Sequence, residues 1–133
     1  MSRHGYSDDC DDNLAMGRWR GQVLSAIRGK RGQAFLNDLI AALEEMPKKG
    51  LIQNELRKDC EVCALGALGV KRGLNLEELD PEDYHRVAQE FGIADQLAQE
   101  VVYENDECCH SGYTPEERWG RMHAWAKRQL RLL

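Results

Sequence analysis

Two cysteines three positions apart, Cys60-Glu-Val-Cys63, are the first residues in this 133-residue chain with the spacing of a chemical site. A pair at that spacing supplies half of a tetrahedral zinc shell. Cys108-Cys109-His110 could supply the other half. A Cys3His site built from Cys60, Cys63, Cys108 and His110 would tie the middle of the chain to a later loop. Adjacent Cys108 and Cys109 rarely both face one metal, and Cys63 sits in an apolar run where a core thiol is common. The favoured expectation is therefore no metal and no cofactor, with zinc as the alternative. A thioredoxin-like use of Cys60 and Cys63 would need a βαβ setting, and the flanking sequence has no such pattern.

The basic residues form a second candidate. Arg18, Arg20, Arg28, Lys30 and Arg31 fall in one segment with no acid between them. Arg118 to Arg131 is likewise free of acids. On a helix, Arg118, Arg121, Trp125 and Arg128 share a stripe that sets one aromatic ring among three guanidinium groups. Guanidinium groups hold phosphates and an aromatic ring stacks a base, so these two faces are candidate nucleic-acid or nucleotide contacts if their helices are neighbours. Between them, Leu76 to Glu107 carries eleven acidic residues and one basic, Arg86. Glu104-Asn105-Asp106-Glu107 lacks the ligand spacing of a calcium loop. It reads as a solvated face or as an acidic surface for a basic partner. The net charge of −5 argues against a protein that simply coats nucleic acid, which would be basic overall.

Other chemistry finds little support. His4, His85 and His123 do not converge, and no Ser-His-Asp or Cys-His set can be placed. Gly29-x-x-Gly32 is too short and too basic for a phosphate-cradling loop. A non-enzymatic protein is expected.

The elements that must position these residues are helical. Apolar residues make up 42%, β-branched residues are sparse, and Leu, Ala, Glu, Arg and Gln, strong helix formers, are plentiful. The expected fold is all-α, a compact single-domain bundle of about six helices around a short buried central helix. Residues 1–13 form a flexible acidic lead in which Asp8, Asp9, Asp11 and Asp12 repel one another, and residues 14–133 form the domain. A first helix spans about Leu14 to Arg28 with Met16, Trp19, Val23 and Ile27 inward. A second spans about Gln33 to Met46 with Phe35, Leu36, Leu39, Ile40 and Leu43 inward, after a Gly29–Gly32 turn. Leu51–Leu56 is ambiguous between helix and extended chain.

Val62–Val70, Val-Cys-Ala-Leu-Gly-Ala-Leu-Gly-Val, is the longest apolar run and reads as a fully buried helix capped by Asp59 and ended by Gly73. Its Gly66 and Gly69 each cost roughly 1 kcal/mol against Ala, which predicts a close backbone approach there. Asp80 caps a helix that enters at Pro81 and stops at Gly92. Another starts near Ala94 with Leu97, Val101 and Val102 inward, and Glu107–Tyr113 forms a loop. Thr114-Pro115-Glu116-Glu117 is a capping box that opens the last helix, running to about Arg131. No run is long enough to span a membrane. The start, Met-Ser-Arg-His-Gly-Tyr-Ser-Asp-Asp, has no hydrophobic signal region. A reducing cytoplasm is therefore expected, where thiols persist as thiols.

Ile27-Arg28-Gly29-Lys30-Arg31-Gly32-Gln33, Val62-Cys63-Ala64-Leu65-Gly66, Leu79-Asp80-Pro81-Glu82-Asp83, Phe91-Gly92-Ile93-Ala94, Asn105-Asp106-Glu107 and Thr114-Pro115-Glu116-Glu117-Arg118-Trp119 resemble, in this order, a family of small phage and prophage proteins of uncharacterised function. The resemblance covers about residues 17 to 130. It implies a viral accessory role in a bacterial host cytoplasm, and it carries over no catalytic residues. The family pattern has a cysteine at the position of Cys63 but not at those of Cys60, Cys108 and Cys109, which weighs against a shared zinc site. Together these readings lead to a phage factor that binds a host macromolecule, protein or protein–nucleic acid complex. Inhibition of antiviral defence, in the manner of an anti-CRISPR protein, would be one form of that role. The alternatives are a nucleic-acid or nucleotide module and a small zinc-stabilised domain. Oligomeric state is left open.

Overall fold

A computed structural model describes Arg3, residues 13 to 106 and residues 113 to 130, with residues 13 to 17 as backbone only. Within these the chain forms six α-helices: α1 (Asn13–Arg28), α2 (Lys30–Glu45), α3 (Ala64–Arg72), α4 (Tyr84–Phe91), α5 (Asp95–Asp106) and α6 (Pro115–Gln129). A two-stranded hairpin, β1 (Arg57–Lys58) with β2 (Glu61–Val62), and a 3-10 turn at Leu76–Glu78 complete the described elements. His4, the four aspartates of the lead, Glu107, Cys108, Cys109, His110, Arg131 and the side chain of Met16 lie outside the described residues.

α2 and α5 are the two hubs. α2 packs against α1, α3 and α6, and α5 packs against α1, α3, α4 and α6. Phe35, Leu36, Leu39 and Leu43 from α2 meet Leu97, Ala98 and Val101 from α5 in one apolar core. Both stripes have the i, i+3, i+4, i+7 spacing of an amphipathic helix. α3 fills the space between the hubs. Its residues 64 to 69 are buried, but Val70 is 52% exposed, so the apolar run is not buried to its end.

Its glycines explain how α3 fits. A Cβ on Gly66 would lie 1.8 Å from the Leu56 carbonyl oxygen, and one on Gly69 would lie 2.6 Å from Leu76 Cδ2. The close approach expected of Gly66 is therefore present, made by the irregular segment leading into the hairpin and not by another helix.

Several local starts differ from expectation. α3 is capped by Cys63, whose sulfur accepts from the Gly66 amide at 3.3 Å. Asp59 occupies the hairpin turn instead, at φ 57°. α4 begins at Tyr84 with Asp83 as its cap. Asp80 and Pro81 precede it in a separate turn, in which the Asp80 carboxylate accepts from the Glu82 amide at 2.9 Å. Leu51–Leu56 is neither helix nor strand: the Leu51 amide donates to Pro115 O and the Ile52 amide to Val62 O. Thr114 and Glu117 form the capping box of α6 as read from sequence, and Gly73 and Gly92 close α3 and α4 in the left-handed conformation.

Candidate nucleic-acid interface

The basic segment after Arg18 folds into a tight corner between two helices. α1 ends at Arg28, Gly29 alone makes the connection, and α2 starts at Lys30. The expected turn of four residues is thus one residue long, because Gly32 already belongs to the first turn of α2. A Cβ there would stand 2.0 Å from the Ala26 carbonyl oxygen, so only glycine lets the two helices approach this closely. Gln33 then fastens the corner. Its side-chain amide donates to the Ile27 carbonyl at 2.7 Å and to the Gln129 carbonyl at 3.1 Å. The end of α1, the start of α2 and the end of α6 are thereby drawn together.

This brings Arg28, Lys30 and Arg31 beside the last turn of α6, which carries Lys127 and Arg128. All five are exposed. None has an ion pair or hydrogen bond of its side chain among the described residues, and Arg18 is in the same state further back along α1. Gly29 provides no side-chain cap for α2, and Lys30 and Arg31 stand at the positive end of that helix's dipole. Like charge at a helix N-terminus is unfavourable by a few tenths to about 1 kcal/mol, and an anion placed there relieves it. A cleft of about 470 Å³ opens at this corner between α1 and α5, lined by Gln22, Ser25, Gly29, Lys30, Arg31 and Gln96 among others. Arg18 lies about 16 Å from Gly29 along the same helix at 1.5 Å per residue, so the basic track extends beyond the corner.

Several other cations are spent internally. Arg20 pairs with Glu100 at 3.1 Å, Arg121 with Glu104 at 3.2 Å, Arg72 with Asp38 at 2.8 Å, and Arg86 with Glu90 at 3.2 Å. This corrects the expected contact stripe on α6. Arg118 is buried and donates to the Leu51 carbonyl at 2.8 Å and to the Tyr113 carbonyl at 3.3 Å. It anchors the chain entering α6, and burial lowers its pKa. Trp125 is 5% exposed and belongs to the core, so it offers no face to a base. The reason is that α6 packs on α2 and also touches α5, which covers more of its circumference than one stripe. Of the four residues only Arg128 is fully open to solvent, with Arg121 half-buried.

The acidic middle is corrected at its end only. Glu77, Glu78, Asp80, Glu82, Asp83 and Glu90 are exposed, but Glu100, Glu104 and Asp106 on α5 are buried, as are Gln99 and Asn105 beside them. Burial pushes the Glu104 carboxyl up, Glu100 adds to the effect, and Arg121 opposes it. Asp106 forms a bidentate pair with Arg3, through Nε at 2.6 Å and Nη2 at 2.8 Å. Sequence patterning missed this pair, since its members are 103 positions apart and Arg3 sits in a segment that reads as a solvated lead. His85 is exposed and pairs with Asp95 at 2.9 Å, which raises its pKa.

For the zinc set, Cys60 is exposed at the hairpin tip, while Cys63 is buried with its sulfur capping α3. Cys108 and His110 lie outside the described residues. No group of three or more metal-binding side chains occurs among the described residues. No described helix is long and apolar enough to cross a membrane.

No protein-family model matches the chain, and no curated protein or solved structure matches it either.

Proposed function

We propose that this is a non-enzymatic, phage-encoded accessory protein that binds a host macromolecule bearing nucleic acid, gripping phosphates at the α1–α2–α6 corner. The observation that carries the reading is the segregation of cations. Arg28, Lys30, Arg31, Lys127 and Arg128 are exposed with no side-chain hydrogen bond or ion pair among the described residues, whereas Arg20, Arg72, Arg86, Arg118 and Arg121 are occupied. Lys48, after α2, and Lys58, in β1, are also exposed and unpaired among the described residues, but they do not join this group. A chain of net charge −5 that gathers five such cations at one corner presents a local cationic surface for a polyanion without being a general nucleic-acid coat. Among the described residues the corner contains no aromatic platform, since Trp125 is buried, so the contact is with backbone phosphate and carries little base preference. The resemblance to small phage proteins supplies the setting, a bacterial host cytoplasm. Interference with an RNA-guided defence complex is the finer reading that it supports.

Fluorescence anisotropy with labelled duplex DNA, single-stranded DNA and single-stranded RNA, titrated across salt, tests this. If all five corner cations contact duplex phosphates, the slope of log affinity against log salt reaches about −4.5, at 0.9 per contact. The double reversal Lys30→Glu with Arg31→Glu should weaken binding and remove about two units of slope. Reversal of the paired Arg72 should leave the slope unchanged. No binding to any of the three probes at low salt, or equal binding by the Lys30/Arg31 variant, overturns the reading.

A further inference from the structure

The buried pair at the far end of α1 has the construction of a receptor. Asp106 closes α5, and its Oδ1 accepts from the Asn54 amide at 3.1 Å and from Asn105 Nδ2 at 2.8 Å. Asn54 holds φ 68° to present that amide. Asn105 is itself fixed from two sides: its Oδ1 accepts from the Ala64 amide at 3.1 Å and its Nδ2 also donates to the Ile52 carbonyl at 2.9 Å. The main-chain carbonyl of Asp106 accepts from Gln53 Nε2 at 2.7 Å. Opposite the carboxylate stands the Cys63 sulfur, held by the Gly66 amide.

Among the described residues, the walls of this socket come from residues 52–54, 63–66 and 105–106, and Asn54, Cys63, Asn105 and Asp106 keep partners that do not involve Arg3. Into it Arg3 places all three guanidinium nitrogens: Nε and Nη2 on Asp106, and Nη1 on Cys63 Sγ at 3.6 Å. The side chains of the pair are 2% and 1% exposed. Burial by itself lowers the pKa of Arg3, but Cys63 and Asp106 together raise it above the ordinary arginine value. A planar fork fits this arrangement by giving each of the three acceptors its own nitrogen, whereas an ammonium offers all three a single nitrogen.

We propose that the Asp106–Cys63 socket is a guanidinium-binding site, that Arg3 is its intramolecular ligand, and that an arginine guanidinium from outside the chain binds there when Arg3 is removed. The preformed walls carry this. A socket whose anion is already oriented by Asn54 and Asn105 persists when its cation leaves, and the buried carboxylate then loses its bidentate partner and keeps only the charge of Arg118, which does not hydrogen-bond it. This inference is independent of the phosphate corner, which lies at the opposite end of α1.

The test uses the full chain carrying Arg3→Ala, with methylguanidinium as probe and ethylammonium as the charge-matched control. Thermal denaturation and the amide resonances of Asn54 and Ala64 are followed. For a dissociation constant of about 1 mM, about 10 mM methylguanidinium raises the folded-to-unfolded ratio roughly elevenfold. The two amides should shift with the same saturation curve. The wild-type chain should respond no more than to ethylammonium, and adding Asp106→Asn to Arg3→Ala should abolish the response. If Arg3→Ala does not fold alone, recovery of the folded state on refolding with methylguanidinium but not ethylammonium supports the site. A variant that responds equally to both cations, shows no saturable response, or fails to refold with methylguanidinium overturns it.

Discussion

Replacing Gly66 with Ala places a methyl group where the structure has a carbonyl. The new Cβ would lie 1.8 Å from Leu56 O, 2.9 Å from Leu56 C and 3.0 Å from Val62 Cβ. Two of these three atoms are backbone, so no side chain can swing away. The Leu56 carbonyl also accepts from the Cys63 amide at 3.2 Å, and a backbone shift stretches that bond at the start of α3. Overpacking of this kind costs about 1–3 kcal/mol, and loss of the hydrogen bond adds about 1 kcal/mol. Alanine recovers about 1 kcal/mol of helix propensity. The net expectation is a destabilisation of about 1–3 kcal/mol.

Gly21 in α1 and Gly120 in α6 are also helical, but a Cβ on either meets nothing within 4 Å. There the same substitution should stabilise by about 0.5–1 kcal/mol, through propensity alone. Urea denaturation followed by helical circular dichroism measures both. With a slope of about 2 kcal/mol per M, the midpoint of Gly66→Ala should fall by about 0.5–1.5 M, and those of Gly21→Ala and Gly120→Ala should rise by about 0.3–0.5 M. A Gly66→Ala midpoint at or above wild type would refute the packing of α3 described above. So would equal losses at all three glycines.

Trp125→Ala should cost about 3–5 kcal/mol in the same assay, as a large aromatic removed from a core does; a loss under about 1 kcal/mol would mean that the ring is not buried. Glu104 has its pKa raised chiefly by burial, so the folded state takes up a proton more readily than the unfolded chain. Its penalty is absent below the unfolded value of 4.5 and grows as pH rises through the folded value. Glu104→Gln should therefore gain stability relative to wild type between pH 4 and pH 7, and an unchanged difference in midpoint would count against this. His85 is raised by its hydrogen bond to Asp95, so its contribution is complete below the unfolded value of 6.5 and is lost as pH rises through the folded value. His85→Gln should remove that pH dependence, read as a difference in midpoint between pH 6 and pH 9 that is smaller than in wild type.

Much of the scaffold was legible because its signals are local. The core faces of α2 and α5 follow from side chains recurring every three or four positions, and Thr114 with Glu117 caps α6 within a single turn. Gly73 and Gly92 end helices because only glycine enters the left-handed region freely. Gly66 was legible in kind, since a glycine inside a helix implies a close neighbour, but nothing local names that neighbour as the Leu56 carbonyl. Helix starts were read one turn early where two acids compete to cap, as at Asp80 and Asp83.

The surface was legible only as composition. Charge counts locate basic and acidic stretches but do not say which charges meet. Arg20 and Arg28 are alike in sequence, yet Arg20 finds Glu100 across the α1–α5 contact and Arg28 faces solvent. Trp125 and Arg118 lie on a stripe that patterning assigns to solvent, and both are buried because α6 is covered by α2 and touched by α5. Arg3 reaches Asp106 across 103 positions, a pairing that no period in the chain encodes. The helices, their inward faces and the ends where glycine or a capping box stops or starts the chain follow from local sequence, because those depend on neighbours within a turn. The tertiary structure alone decided which charges are spent on one another, which remain at the α1–α2–α6 corner, and that Asp106 holds a guanidinium, because ion pairing depends on distances between segments far apart in the chain.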